Sequence, residues 1–126
     1  MHFLAGQKLR ASDLNEGPWV PLTLLAGWVQ RTGYYVPAVR LLMDESTVQL
    51  RGGLSGGTVT AGTVFATLAA EFRPAASVSF AVSANDSGAG GAAGNPRVFV
   101  RTNGNMEIWG IAGTSPFHID GCSFSI

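Results

Sequence analysis

Three side chains near the C-terminus carry the obvious chemistry: His118, Asp120 and Cys122, in the run HIDGC. On a strand, His118 and Asp120 share a face and could supply two metal ligands. A closed site needs four, and the only other histidine is His2. We assign no metal and no cofactor, and read the two as a surface pair beside a bulge. Cys122 is the only cysteine, so neither an internal disulfide nor a thiolate cluster can form. Its apolar neighbours predict a buried thiol that packs as a small hydrophobe.

Acid–base and nucleophilic catalysis find little support. Glycoside cleavage needs two flanking carboxylates. The acidic residues are few, only Asp44 and Glu45 are adjacent, and a turn explains them. A Ser-His-Asp triad is defined by geometry, and we read no nucleophile elbow in the chain. The pairs Gly52-Gly53 and Gly56-Gly57 lack the lysine and following helix of a phosphate loop. They read as a strand end and a tight turn. The sequence predicts a non-enzymatic protein.

The aromatic residues are the remaining candidates. Trp19, Trp28, Tyr34, Tyr35 and Trp109 could stack on sugar rings or fill a subunit interface. Trp109 stands out because of its strand. Met106 and Ile108 alternate with Glu107 and Trp109, and Val98 and Val100 alternate with Arg97, Phe99 and Arg101. Period-two alternation sends the first set inward and the second outward. Trp109 and Phe99, ringed by Arg97, Arg101 and Glu107, would then form one apolar patch with a charged rim, suited to a ligand or an interface.

The elements that must position these residues are short strands broken by Gly, Pro, Asn and Ser. Ser77–Ser83 alternates Val78, Phe80 and Val82 against serine and alanine. Thr47–Arg51 turns Val48 and Leu50 inward, and Val36–Met43 reads as its partner across a turn at Asp44–Ser46. Arg97–Thr102 and Asn105–Ile111 flank Asn103-Gly104, the signal for a two-residue type I′ hairpin with positive φ at both positions. In the last strand Phe117 and Ile119 are out of phase with Cys122, Phe124 and Ile126. A bulge at Asp120-Gly121 would bring both sets to the core. No long amphipathic helix appears. Seven or eight strands predict an all-β fold, an antiparallel β-sandwich or jelly roll.

The 126 residues suffice for one domain. We divide them into an N-terminal docking segment, 1–18, and a β-sandwich domain, 19–126. The first segment holds the only lysine, Lys8, and a single helical turn at Asp13–Asn15 capped by Ser12, which is too short to fold alone. Residues 84–96 are Gly/Ala-rich and predict a mobile loop. Only 13% of residues are charged against 46% apolar, so part of the surface should be covered by a partner. Basic and acidic residues balance at eight each, without a basic run, which disfavours nucleic acid. The N-terminal residues do not read as a signal peptide, lacking its charged start, apolar stretch and cleavage site, and the most apolar window, Val20–Val29, is too short to span a bilayer. It reads as made in the cytosol, without membrane insertion.

Several of these segments together resemble a known family. VQLRGGLSGGTVTAGTVFATLAAEFRPAASVSFAVS, then VRTNGNMEIWG, then HIDGCSFSI, resemble the C-terminal β-domain of bacteriophage tail fibres and receptor-binding tail proteins. The matching positions are Leu50, Arg51 and Gly52; Gly62, Thr63 and Val64; Leu68; Arg73 and Pro74; Asn103 and Gly104; and Asp120, Gly121, Ser123 and Phe124. Ala69 departs from the pattern, where proline is frequent. The similarity covers residues 34–126, and AGQKLRASDLN resembles a segment near the start of many phage tail and virion proteins.

The resemblance implies a β-sandwich head domain, usually trimeric, assembled into a virion and often carrying a glycan-receptor site. On it we expect a homotrimer that joins other virion proteins through its N-terminal segment. The expected ligand is a host-surface glycan, held by Trp109 with Arg97, Arg101 and Glu107, and with Asp86 closing from the loop. The alternative is a purely structural virion component, such as a head decoration, baseplate or tail plug.

Overall fold

The computed structural model describes residues 17–42, 45–84, 95–111 and 116–126. Most of the docking segment, Asp86 with most of its loop, and Asp44 lie outside the described residues. The described residues form an all-β fold of three four-stranded antiparallel sheets. The strands are shorter and more numerous than the alternation predicts, because several single runs cross from one sheet to another.

The first sheet has the order β1 (Val20–Pro21), β3 (Ala38–Leu41), β4 (Thr47–Arg51), β12 (Ser123–Ser125). The second runs β6 (Thr63–Thr67), β10 (Asn105–Trp109), β9 (Arg97–Val100), β7 (Val78–Ala81). The third, which the sequence reading did not anticipate, runs β2 (Val29–Gln30), β5 (Gly53–Ser55), β11 (Phe117–His118), β8 (Ser83–Ala84). A single turn of 3-10 helix, Ala70–Phe72, follows β6.

One core joins all three sheets. Val48, Leu50, Val98, Val100, Met106 and Ile108 are fully buried, as their alternation requires. Phe80 of the second sheet meets Phe124 of the first at 6.0 Å between ring centroids. Phe117 of the third receives Trp28 edge-on at 4.8 Å and Phe65 at 5.0 Å. Trp28 is only 3% exposed, and its indole N–H donates to the Thr58 carbonyl at 3.1 Å. That ring lies on Gly57, where a Cβ would stand 2.2 Å from its atoms. Trp28 is therefore a core residue and leaves the list of sugar-stacking candidates.

Three corners make the third sheet. Val82 separates β7 from β8, so the strand read at Ser77–Ser83 belongs to two sheets. Gly52, at φ +127°, separates β4 from β5. Opposite it, Ser123 pairs with Gln49 and His118 with Gly53, so Asp120 and Gly121 together face Arg51 alone. The expected bulge is present, with Gly121 at φ +78° and the Cys122 N–H donating to the Ile119 carbonyl. It buries Phe117, Ile119 and Phe124, but Ile126 at the chain end stays 38% exposed, contrary to expectation.

The Arg97–Ile111 hairpin also forms, with a different turn. Gly104 is at φ +90°, whereas Asn103 is not at positive φ. The Gly104 N–H donates to the Arg101 carbonyl and the Arg101 N–H to the Asn105 carbonyl. This is a three-residue loop, Thr102–Gly104, closed by a glycine in the left-handed region, in place of a type I′ turn. The Asn103 side chain accepts the Asn105 N–H at 3.0 Å, a local bond that favours this geometry.

The Gly52 corner is sterically unforgiving: a Cβ there would lie 2.3 Å from Pro37 Cα and 2.6 Å from Pro37 N. Gly52→Ala should destabilise the protein by about 3 kcal/mol or more. Gly33, also at positive φ but with no atom within 4 Å of a Cβ, should cost only about 1–2 kcal/mol when changed to alanine. Urea unfolding of both variants checks the difference; equal midpoints would show that Pro37 yields.

Candidate functional site

The sheet face predicted around Trp109 exists. Pairing places Trp109 opposite Arg97 and Glu107 opposite Phe99, and Arg101 directly follows β9. The Phe99 and Trp109 rings meet edge to face at 5.8 Å. Arg97 lies 5.8 Å from the Phe99 centroid and 5.6 Å from that of Trp109, and Arg101 lies 4.7 Å from that of Phe99. Gly62, in the turn just before β6, approaches the Trp109 ring, its would-be Cβ 3.2 Å away. Four of the five predicted site residues thus share one face; Asp86 lies outside the described residues.

The polar groups of this face bond chiefly to one another. Arg101 Nε and Nη2 donate to the two oxygens of Glu107 at 3.1 and 3.0 Å. The Trp109 N–H donates to Glu107 Oε1 at 3.1 Å. The Arg101 hydrogen bonds hold the Glu107 carboxyl below its ordinary 4.5, partial burial opposes this, and the Trp109 N–H assists. Trp109 and Phe99 are half-buried, so the face is a pre-ordered platform rather than an exposed aromatic.

A second constellation, which the sequence reading did not assemble, surrounds His118. This histidine is only 8% exposed, so it is no surface pair with Asp120. The reason is its strand, β11, which lies between β5 and β8 and is buried on both faces. The Tyr34 ring stacks on the imidazole at 4.6 Å. Arg31 Nη1 lies 2.9 Å from His118 Nε2 and its guanidinium 4.5 Å from the Tyr34 centroid. Arginine only donates, so in this contact Nε2 is the accepting atom. Gly53 makes room for this packing, since a Cβ there would be 2.9 Å from both His118 and Tyr34.

Asp120 is exposed within the bulge, and its Oδ1 accepts the Gly52 N–H at 2.9 Å. Tyr35 is held from below: Arg51 lies 4.6 Å from its ring and 4.2 Å from that of Trp19, which Arg40 approaches at 4.3 Å. Gly33, Tyr34, Tyr35 and Asp120 line an open cleft of about 580 Å³. A smaller one of about 330 Å³ shares Tyr34 and Asp120 and adds Ala81, Ser83, His118 and Cys122. Tyr34 and Tyr35 are 40% and 63% exposed. Both were among the aromatics singled out by type; what the sequence did not signal was their meeting with Asp120, 85 positions beyond Tyr35.

No three His, Cys, Asp or Glu side chains group as a metal would require among the described residues. One sequence reading needs correction: Gly53-Leu54-Ser55-Gly56-Gly57 does have nucleophile-elbow spacing. An elbow needs a strand, a sharp turn and then a helix. Here β5 turns at Gly56, φ +79°, into Gly57 beneath Trp28, and no helix follows. The spacing serves ring packing.

Fold and clefts together define an antiparallel β-sandwich domain with solvent-facing aromatic sites. The same fold occurs in the receptor binding protein (gp15) of Listeria phage PSA, with a TM-score of 0.70 and 17% sequence identity. The match covers 89% of this chain and 66% of that one, so the chain spans just under two thirds of its neighbour's length. No family model matches the sequence, and no curated protein matches it. No helix among the described residues is long and apolar enough to cross a membrane.

Two measurements check the electrostatics. Glu107 has a depressed carboxyl, so its pair with Arg101 contributes fully above pH 4.5 and the contribution fades as pH falls through the lower folded value. Glu107→Gln should therefore remove part of the acid-limb loss of melting temperature; an unchanged limb would contradict the pairing. Burial, with the Asp120 charge adding, pushes the Cys122 thiol up to about 11. Its alkylation by iodoacetamide should be slow at neutral pH and reach half its maximal rate only near pH 11; a midpoint near pH 9 would show an unperturbed thiol.

Proposed function

We propose that this chain is a bacteriophage virion protein, a tail-fibre or tail-tip subunit that binds a host-surface saccharide without chemically altering it. The observation that carries this reading is the sheet face on which Arg97, Phe99, Arg101, Glu107 and Trp109 converge. Its two rings offer a stacking surface and its ions a hydrogen-bonding rim. The shared fold with a phage receptor binding protein supports placing it on a virion. A homotrimer is the proposed assembly, supported by the low charge content and by exposed Leu25, Val29 and Val36, apolar surface of the kind that oligomers cover. Attachment to other virion proteins is assigned to residues 1–18.

A second reading is favoured by the internal hydrogen bonding of the same face. Because Glu107 already satisfies Arg101 and Trp109, the face could be covered by another protein at small desolvation cost. The chain would then be a structural virion component.

Trp109→Ala separates the two. On the saccharide reading, glycan-array and cell-surface binding fall at least tenfold while native mass spectrometry shows an unchanged oligomer. On the structural reading the oligomer or its incorporation into particles weakens, as expected when a buried interface aromatic is truncated. Wild-type binding together with normal assembly would remove support from both.

A further inference from the structure

The platform and the clefts lie on one continuous track. Trp109 pairs with Arg97, and Arg97 pairs with Ala81, so the three occupy one cross-strand row on the same face. Two strand spacings, about 10 Å, separate the ends of that row. Ala81 also lines the smaller cleft, which shares Tyr34 and Asp120 with the larger one. The path therefore runs from Trp109 over Arg97 and Ala81, past Tyr34 and Asp120, to Tyr35.

We propose that the clefts on either side of Tyr34 and Asp120 are further sugar subsites on this track for uncharged sugar units, and that its occupant is a linear oligosaccharide rather than a single terminal sugar. The proposal rests on the saccharide reading above for its ligand class, but on separate residues for its site. Among the described residues Tyr35 is the most exposed of the large hydrophobic side chains, and Arg51 backs it, so the ring is held ready to stack on the C–H face of a sugar. Asp120 Oδ1 is engaged by Gly52, which fixes the carboxylate and leaves Oδ2 to accept from sugar hydroxyls. A carboxylate shared by both clefts disfavours an anionic sugar in either of them. Volumes of about 580 and 330 Å³ suit ring-sized occupants in sequence.

The probe is a printed array of bacterial surface glycans carrying fragments of one to several sugars for each repeat. Binding should strengthen with fragment length. Tyr35→Ala and Asp120→Asn should each weaken binding of the longer fragments by about tenfold or more and leave the shortest ones unchanged. Tyr35→Phe should retain binding. Asp120→Asn keeps the oxygen that accepts from Gly52, and melting curves verify that each variant is folded; if Asp120→Asn is not, Tyr35→Ala decides. Length-independent binding, or wild-type behaviour of Tyr35→Ala, overturns the subsites. If Trp109→Ala abolishes binding while Tyr35→Ala does not, the track fails and the platform stands. If the wild-type protein binds no glycan on the array, both fail.

Discussion

The two-residue strand Phe117–His118 ties the core to the surface. Successive side chains on a strand point to opposite faces. Phe117 enters the core between Trp28 and Phe65 and anchors the third sheet to the second. His118 points the other way and forms the floor under Tyr34 and Arg31. A slip of one residue would exchange the two, burying an imidazole among aromatic rings and setting a phenylalanine under Tyr34 where Arg31 now meets the His118 ring. Register here is held by Gly53 and Leu54 on one side and Ser83 and Ala84 on the other.

The corners follow from that requirement. To meet β11, the chain must leave the first sheet after Arg51 and return to it at Ser123. Gly52 allows the departure because only glycine tolerates its contact with Pro37. The Asp120-Gly121 bulge allows the return. Bulges re-aim side chains, and this one turns a carboxylate out of the strand and back onto the Gly52 amide. The clefts are the space that such a crossing leaves open. With few charges in the chain, five of the arginines serve as covers for rings: Arg31 on Tyr34, Arg40 on Trp19, Arg51 on Trp19 and Tyr35, and Arg97 and Arg101 on Phe99.

The Trp109 platform was legible because it depends on one hairpin. Alternation sets its faces, and Asn103-Gly104 brings its strands together at short sequence distance. The turn type was misread because Asn-Gly serves more than one loop; the glycine's positive φ is common to both, and the asparagine's local bond tipped the choice. The His118 constellation was not legible. Its members, Arg31, Tyr34, Tyr35, His118 and Asp120, come from a loop and a strand that nothing local connects, and a histidine flanked by apolar residues reads equally well as surface or core.

What the sequence determined by itself is whatever depends on period and on local backbone chemistry. That includes the all-β class, the inward sets Val48/Leu50, Val98/Val100 and Met106/Ile108, the bulge, and the outward platform. These follow because neighbouring side chains on a strand must separate between water and core. Tertiary structure decided the third sheet, the burial of Trp28 and His118, and the union of Tyr34, Tyr35 and Asp120. Each depends on two distant segments fitting the same volume, with Gly53 and Gly57 leaving the space that rings from elsewhere in the chain occupy. Period cannot encode such a fit, because it depends on shape between segments rather than on polarity along one of them.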